Sequence, residues 1–303
     1  MSGRRPTTKI LLDAAVGPIA VGLIHAVRFV DRRRAANFAA AVMRKAGPLL
    51  PEHRLGRDNL RAAFPEKSAA EIEKILAGVW DNLGRVAAEF AHLEEFKLTG
   101  TGPSTPGDIG YDPATAERYQ RIIARRQPTI QFAAHLANWE IPALAGKLVG
   151  VNSAVLYRRP SITAISDSII KLRANVMGQL IPTGLDAPVR LARLLQAGCH
   201  VGMLVDQHFT KGVEVTFFGR SCKANPLIAL LARQTELPIH GMRVIRQPDG
   251  DRFRCEVTEA IDPPRDRDGR IDIRGTMQAI TDVVEGWVRE HPEQWLWLHR
   301  RWR

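Results

Sequence analysis

From residue 129 onward, short apolar runs alternate with longer stretches of helical periodicity. Thr129–Ala134 is a mostly apolar run of strand length, and Asn152–Tyr157, Leu180–Pro182, His200–Val205 and Pro238–Arg246 repeat the pattern. Helical stretches separate them: Glu140 to Gly150, Thr163 to about Val176, Pro188–Ala197 closed by Gly198, and a segment to Thr235 capped by Asn225-Pro226. Pro238–Arg246 and Arg252–Val257 flank Gln-Pro-Asp-Gly-Asp, a turn sequence that predicts a β-hairpin. Thr276–His291 follows as an amphipathic helix. Strands alternating with helices predict an α/β fold: a mixed, largely parallel central sheet flanked by helices.

The first third reads differently. Residues 35–47 are Ala-rich and helical, closed by Pro48 and Pro51. Ser68-Ala-Ala-Glu71 is a capping box that opens a long helix to about Leu93, with Ile72, Ile75, Leu76, Val79 and Trp80 on one face. Residues 99–111 are a turn-rich linker, and Asp112-Pro113 caps a helix to about Arg126. Ile10 to Val30 is mostly apolar, but Asp13, Pro18, His25 and Arg28 interrupt it. Flanking arginines favour an interfacial amphipathic helix over a bilayer span, with a plain helix packed on the body as the alternative. The chain thus divides into membrane-associating helices at 1–47 and a catalytic domain at 48–303.

Composition narrows the partners. The 303 residues carry a net charge of +11, which implies an anionic partner: nucleic acid, an anionic membrane, or an acidic protein or substrate. The three cysteines are scattered without Cys-x-x-Cys spacing, so neither a disulfide framework nor a metal site is expected.

The candidate chemistry lies at the end of the first apolar run. His135 sits at a strand terminus, Asn138 is a good helix N-cap, and Glu140 falls in the first helical turn. The positive end of a helix disfavours imidazolium, and a carboxylate on the other ring nitrogen would steady the cation formed on proton uptake. Those are the parts of a general base, with no nucleophile of its own: no Gly-x-Ser-x-Gly elbow occurs. His135 would therefore activate a hydroxyl of the substrate. Arg158 and Arg159 end another strand, where α/β folds bind ligands, and suit phosphate recognition. Asp206 and Gln207 end a third. Asp206 could bind a sugar hydroxyl, orient Arg158 or Arg159, or cap the following turn.

His135-Leu-Ala-Asn138-Trp139-Glu140 resembles the His-x4-Asp/Glu signature of glycerolipid acyltransferases. It resembles more closely the His-x-Gly-Asn-Trp-Glu form of the late acyltransferases of lipid A biosynthesis. Ala137 replaces the usual Gly, which fits if φ is negative there. Asn59 before Phe64-Pro65-Glu66, then Asn82, Gly84-Arg85 and Glu89, resemble the family's N-terminal half, and from the residues alone their role is structural. Tyr157-Arg158, Asp206-Gln207, Gly212 to Gly219 and the tail Pro292-Glu-Gln-Trp295-Leu-Trp297-Leu-His299-Arg-Arg-Trp302 match further family segments.

The resemblance implies a glycerolipid acyltransferase-like fold and O-acyl transfer from acyl-[acyl carrier protein] to a lipid A precursor, at the cytoplasmic face of the inner membrane. His135 and Glu140 would be catalytic. Asn138, Arg158, Arg159, Arg173, Asp206 and Gln207 would bind the acceptor, with no cofactor. It also weighs against nucleic-acid stacking by Trp295, Trp297 and Trp302. Another glycolipid or lysophospholipid acceptor, or a basic membrane-binding module without catalysis, are the alternatives.

Overall fold

A computed structural model describes residue 22 and residues 25–99, 107–158 and 163–303. Most of the apolar 10–30 segment, and Arg159, lie outside the described residues. Among the described residues, no helix is long and apolar enough to cross a membrane.

Seven strands form one sheet: β1 (Ile109–Tyr111), β2 (Ile130–Ala133), β3 (Ser153–Tyr157), β4 (Gln179–Pro182), β5 (His200–Leu204), β8 (Ile239–Arg246) and β9 (Phe253–Ile261). Their order is β1-β9-β8-β2-β5-β3-β4. Every neighbouring pair is parallel except β8 and β9, which the Gln-Pro-Asp-Gly-Asp turn joins as a hairpin. A second hairpin, β6 (Val213–Phe217) with β7 (Arg220–Ala224), stands apart. The mixed, largely parallel sheet expected from the alternation is present. Parallel strands need covering on both faces, and the central residues Ile130, Phe132, Val201 and Ile239 are all buried accordingly.

The helices are α1 (Arg32–Ala46), α2 (Pro51–Ala63), α3 (Ala69–Glu89), α4 (Pro113–Ala124), α5 (Ile141–Leu148), α6 (Thr163–Val176), α7 (Ala187–Gln196), α8 (Leu227–Thr235) and α9 (Ile273–Glu290). Ser68 caps α3 as its sequence requires: its hydroxyl accepts from the Glu71 amide, and Glu71 returns a bond to the Ser68 amide. The helix stops at Glu89, short of Leu93, because His92 leaves helical backbone angles in the turn that follows. Helix α1 lies along α3. Gly84 permits this, since a Cβ there would come within 2.5 Å of the Ala39 carbonyl oxygen.

The tryptophan-rich tail belongs to the core. Trp295 and Trp297 are buried edge to face at 4.7 Å, and the Trp302 indole donates to the Phe217 carbonyl. The Asn59 amide donates to the carbonyls of Trp297 and His299 at 2.9 and 3.0 Å, which ties the tail to α2. A buried indole removes about 150–250 Å² from water, on the order of 4–6 kcal/mol of gross transfer free energy. Neither Trp295 nor Trp297 has a free face for a base or a lipid headgroup. Among the described residues, the tail's ladder contact with the body is one bridge, Leu136 to Trp295.

Candidate active site

Strand order decides the site. Strands β2 and β5 are parallel neighbours, in register from Ile130↔Val201 to Ala133↔Leu204. Two steps beyond the last pair, the same register sets His135 opposite Asp206. The His135 ring Nδ1 lies 2.7 Å from Asp206 Oδ1. The other carboxylate oxygen accepts the His135 amide at 2.8 Å and the Trp295 indole N–H at 2.7 Å. Three donors converge on one buried acid. Burial alone would raise its pKa. The positive charge available on His135, the hydrogen bond from that ring, the charge of His299 and the His135 amide outweigh it, and Asp206 is held well below the usual carboxylate range.

An ionised carboxylate can only accept, so the His135 proton sits on Nδ1 and Nε2 keeps its lone pair. The Gln207 amide donates to that Nε2 at 3.2 Å, and its side chain is exposed. The imidazole is 12% exposed against 1% for the Asp206 side chain. One cavity of about 420 Å³ is bordered by Asn82, Arg246 and Gln294, and another of about 550 Å³ by Phe96, Leu144 and Val176; His135 lines neither.

Glu140 is not the partner of His135. Its carboxylate takes both Arg173 Nε, at 2.8 Å, and Arg173 Nη2, and the guanidinium stacks over Phe90 at 5.4 Å. The sequence spacing puts Glu140 close to His135 along the chain, but the start of α5 turns it toward α6. Arg173, expected to hold the acceptor, is thus committed to Glu140. Asp206, left open between three roles, is engaged instead by His135 and by the Trp295 indole. Arg158 is exposed just past β3, with no ion pair to a described residue.

Asn138 is a further correction. Expected to cap the helix and face the acceptor, it is fully buried. Its Oδ1 accepts the Glu140 amide at 3.2 Å, and its amide donates to Glu89 at 2.9 Å. Ala137 does not have the negative φ its side chain would favour: φ is +48°. That left-handed residue is clamped on both sides. Its N–H donates to the Gln294 carbonyl at 2.9 Å, and its carbonyl accepts the Asn82 amide at 3.0 Å.

Behind the turn lies a buried polar network absent from the sequence reading. Arg246 binds Glu89 through two nitrogens and donates through Nε to Asn82 Oδ1 at 3.0 Å. Gln294 accepts the Arg246 amide and donates to its carbonyl. Asn82 and Glu89 fall on the buried stripe of α3 that runs Ile72, Leu76, Val79 and Val86. Polar residues on an apolar helical stripe were the available signal.

The family model described as bacterial lipid A biosynthesis acyltransferase matches residues 6–303. The chain belongs to that family. It is accordingly an acyltransferase, and lipid A biosynthesis supplies the class of its acceptor. None of the curated proteins compared with it matches.

Proposed function

We propose that this acyltransferase moves an acyl chain from acyl-[acyl carrier protein] to a hydroxyl of a lipid A precursor, with His135 as general base and Asp206 as its orienting acid. The observation that carries the reading is the 2.7 Å contact from Nδ1 to Asp206, which leaves the Nε2 lone pair on the accessible side. The acceptor hydroxyl takes the place of the Gln207 amide. Nε2 removes its proton as the oxygen attacks the thioester carbon, and the buried Asp206 stabilises the imidazolium. Collapse of the tetrahedral intermediate breaks the carbon–sulfur bond, and the imidazolium returns its proton to the departing sulfur.

This assignment replaces the His135–Glu140 pair suggested by spacing. Glu140 holds Arg173 beside the site, and Arg158 with Arg159 meets phosphate groups of the acceptor. The cytoplasmic face of the inner membrane is the proposed place of work. A net charge of +11 and the exposed Phe29, Phe38 and Leu49 beside Arg33 and Arg34 suit an anionic bilayer surface.

The test is transfer from a panel of acyl-carrier thioesters to purified lipid A precursor, with other glycolipids and lysophospholipids as competing acceptors. His135→Ala is expected to lower kcat by about 10²–10⁴-fold with the fold intact. Transfer retained by that variant ends the general-base reading, and preference for another acceptor ends the lipid A assignment.

A further inference from the structure

We infer that Asn82, backed by Glu89 and Arg246, is a positioning residue that holds His135 in its reactive place by pinning Ala137 in a left-handed conformation. The inference rests on the general-base reading above and names what enforces it. Non-glycine residues at positive φ are disfavoured and persist only where the surroundings over-determine them. Ala137, at φ +48°, is such a residue, two positions from His135.

Three contacts hold the turn. The Asn82 amide donates to the Ala137 carbonyl, the Gln294 carbonyl takes the Ala137 N–H, and Asn138 reaches Glu89. Asn82 cannot rotate away, because its Oδ1 is held by Arg246 Nε and its amide also donates to the Gln294 carbonyl at 3.2 Å. Arg246 in turn is fixed by a carboxylate 1% exposed, Glu89, at the end of α3. The network touches neither ring nitrogen of His135. Its lever is the backbone: with the turn released, Ala137 relaxes toward negative φ, and His135 leaves the register that sets it against Asp206. A displacement near 1 Å at a catalytic group is enough to cost about a hundredfold in rate.

The experiment uses the full chain and two readouts. Asn82→Ala is expected to lower kcat by about tenfold to a hundredfold, with KM for donor and acceptor held within about twofold. The low-field proton resonance of His135 Nδ1–H, seen without turnover, should weaken or vanish in the same variant. Adding Ala137→Gly to Asn82→Ala should restore most of the lost kcat and the resonance, because glycine adopts positive φ without a pin. A purely structural role for Asn82 predicts no such rescue. Asn138→Ala releases the turn from Glu89 while sparing the Glu89–Arg246 pair, and it should give the same kcat loss if Asn82→Ala does not fold. Unchanged kcat and resonance in the folded variants, or a double variant no better than Asn82→Ala, overturns the positioning role. The resonance keeps the two readings separate: its loss on Asn82→Ala supports pinning even if His135→Ala were to retain transfer.

Discussion

Imidazoles stand at both ends of the same central strands, and only one end is built for proton transfer. At the carboxyl end, His135 leans on Asp206, and its outer nitrogen faces an exposed amide. At the amino end, His200 Nδ1 accepts from the Thr129 backbone N–H at 3.2 Å and from the Thr129 hydroxyl at 2.8 Å, so its lone pair is occupied. His240 lies on β8, on the other side of β2 from β5, and directs Nδ1 at the Thr258 carbonyl at 3.0 Å. Neither ring touches a carboxylate among the described residues. Burial lowers the pKa of both, with each other's proximity adding to it for His200. A histidine on a strand end is therefore not a site by itself. The acid behind it and the access in front of it make the difference.

Removing that acid without changing its shape tests the distinction most severely. Asp206→Asn keeps a carbonyl oxygen for Nδ1 but loses the charge that steadies imidazolium, and kcat is expected to fall by about 10²–10⁴-fold. Glu140→Gln should act on a different parameter. It leaves the Arg173 guanidinium, 18% exposed, without its carboxylate partner beside the site, so KM for the anionic acceptor should change more than kcat. Steady-state kinetics of the two variants decide the matter. If Glu140→Gln lowers kcat by about 10²–10⁴-fold and Asp206→Asn is mild, the roles of the two acids are reversed.

How much of this was legible in the sequence follows from what each residue depends on. His135 was found because strand ending, helix start and motif all lie within one stretch. Asp206 was placed at a strand's carboxyl end, yet its partner was not, because nothing local says that β5 lies between β2 and β3. Glu140 was favoured by nearness along the chain, and the rotation at the start of α5 gave that nearness to Arg173. The capping box, the hairpin turn and the helix after Asp112 are local signals, and they survived folding almost to the residue. Asn82 and Glu89 meet Arg246 across 157 or more residues of chain, a distance over which periodicity carries no information.

The two ends should also separate in pH. His200 and His240, at the amino end, both have folded pKa values depressed chiefly by burial. For a depressed histidine the unfolded chain binds the proton more readily. The stability it contributes is complete above the unfolded value near 6.5 and is lost as pH falls toward the folded value, with a slope of up to about 1.4 kcal/mol per pH unit for each group. Asp206, also depressed, contributes stability present above an unfolded value of about 4 and loses it only below that. Denaturant titrations should therefore show stability falling between about pH 7 and 5, then a separate acid limb. His200→Gln should flatten the first limb and spare the second. A flat profile down to about pH 5 would mean the amino-end rings are protonated as easily folded as unfolded.

Left-handed residues give the finest contrast between the ends. Arg126 before β2, at φ +51°, is exposed at the end of a helix, where such a residue is an ordinary cap. Ala137, beyond the other end of β2, is buried with its methyl packed beside Ile141 and Leu144. Glycine relieves about 1–2 kcal/mol of left-handed strain at either place and loses about 0.4–1 kcal/mol through the freer unfolded chain. At Arg126 nothing else is at stake, so Arg126→Gly should stabilise by roughly 0.5–1 kcal/mol. At Ala137 the lost methyl burial, about 0.8 kcal/mol, offsets the gain, and Ala137→Gly should leave the unfolding free energy within about 1 kcal/mol of the parent. Chemical denaturation measures both. A loss above about 2 kcal/mol for Ala137→Gly would mean that methyl packing, and not the bonds to Asn82 and Gln294, keeps the catalytic turn in its place.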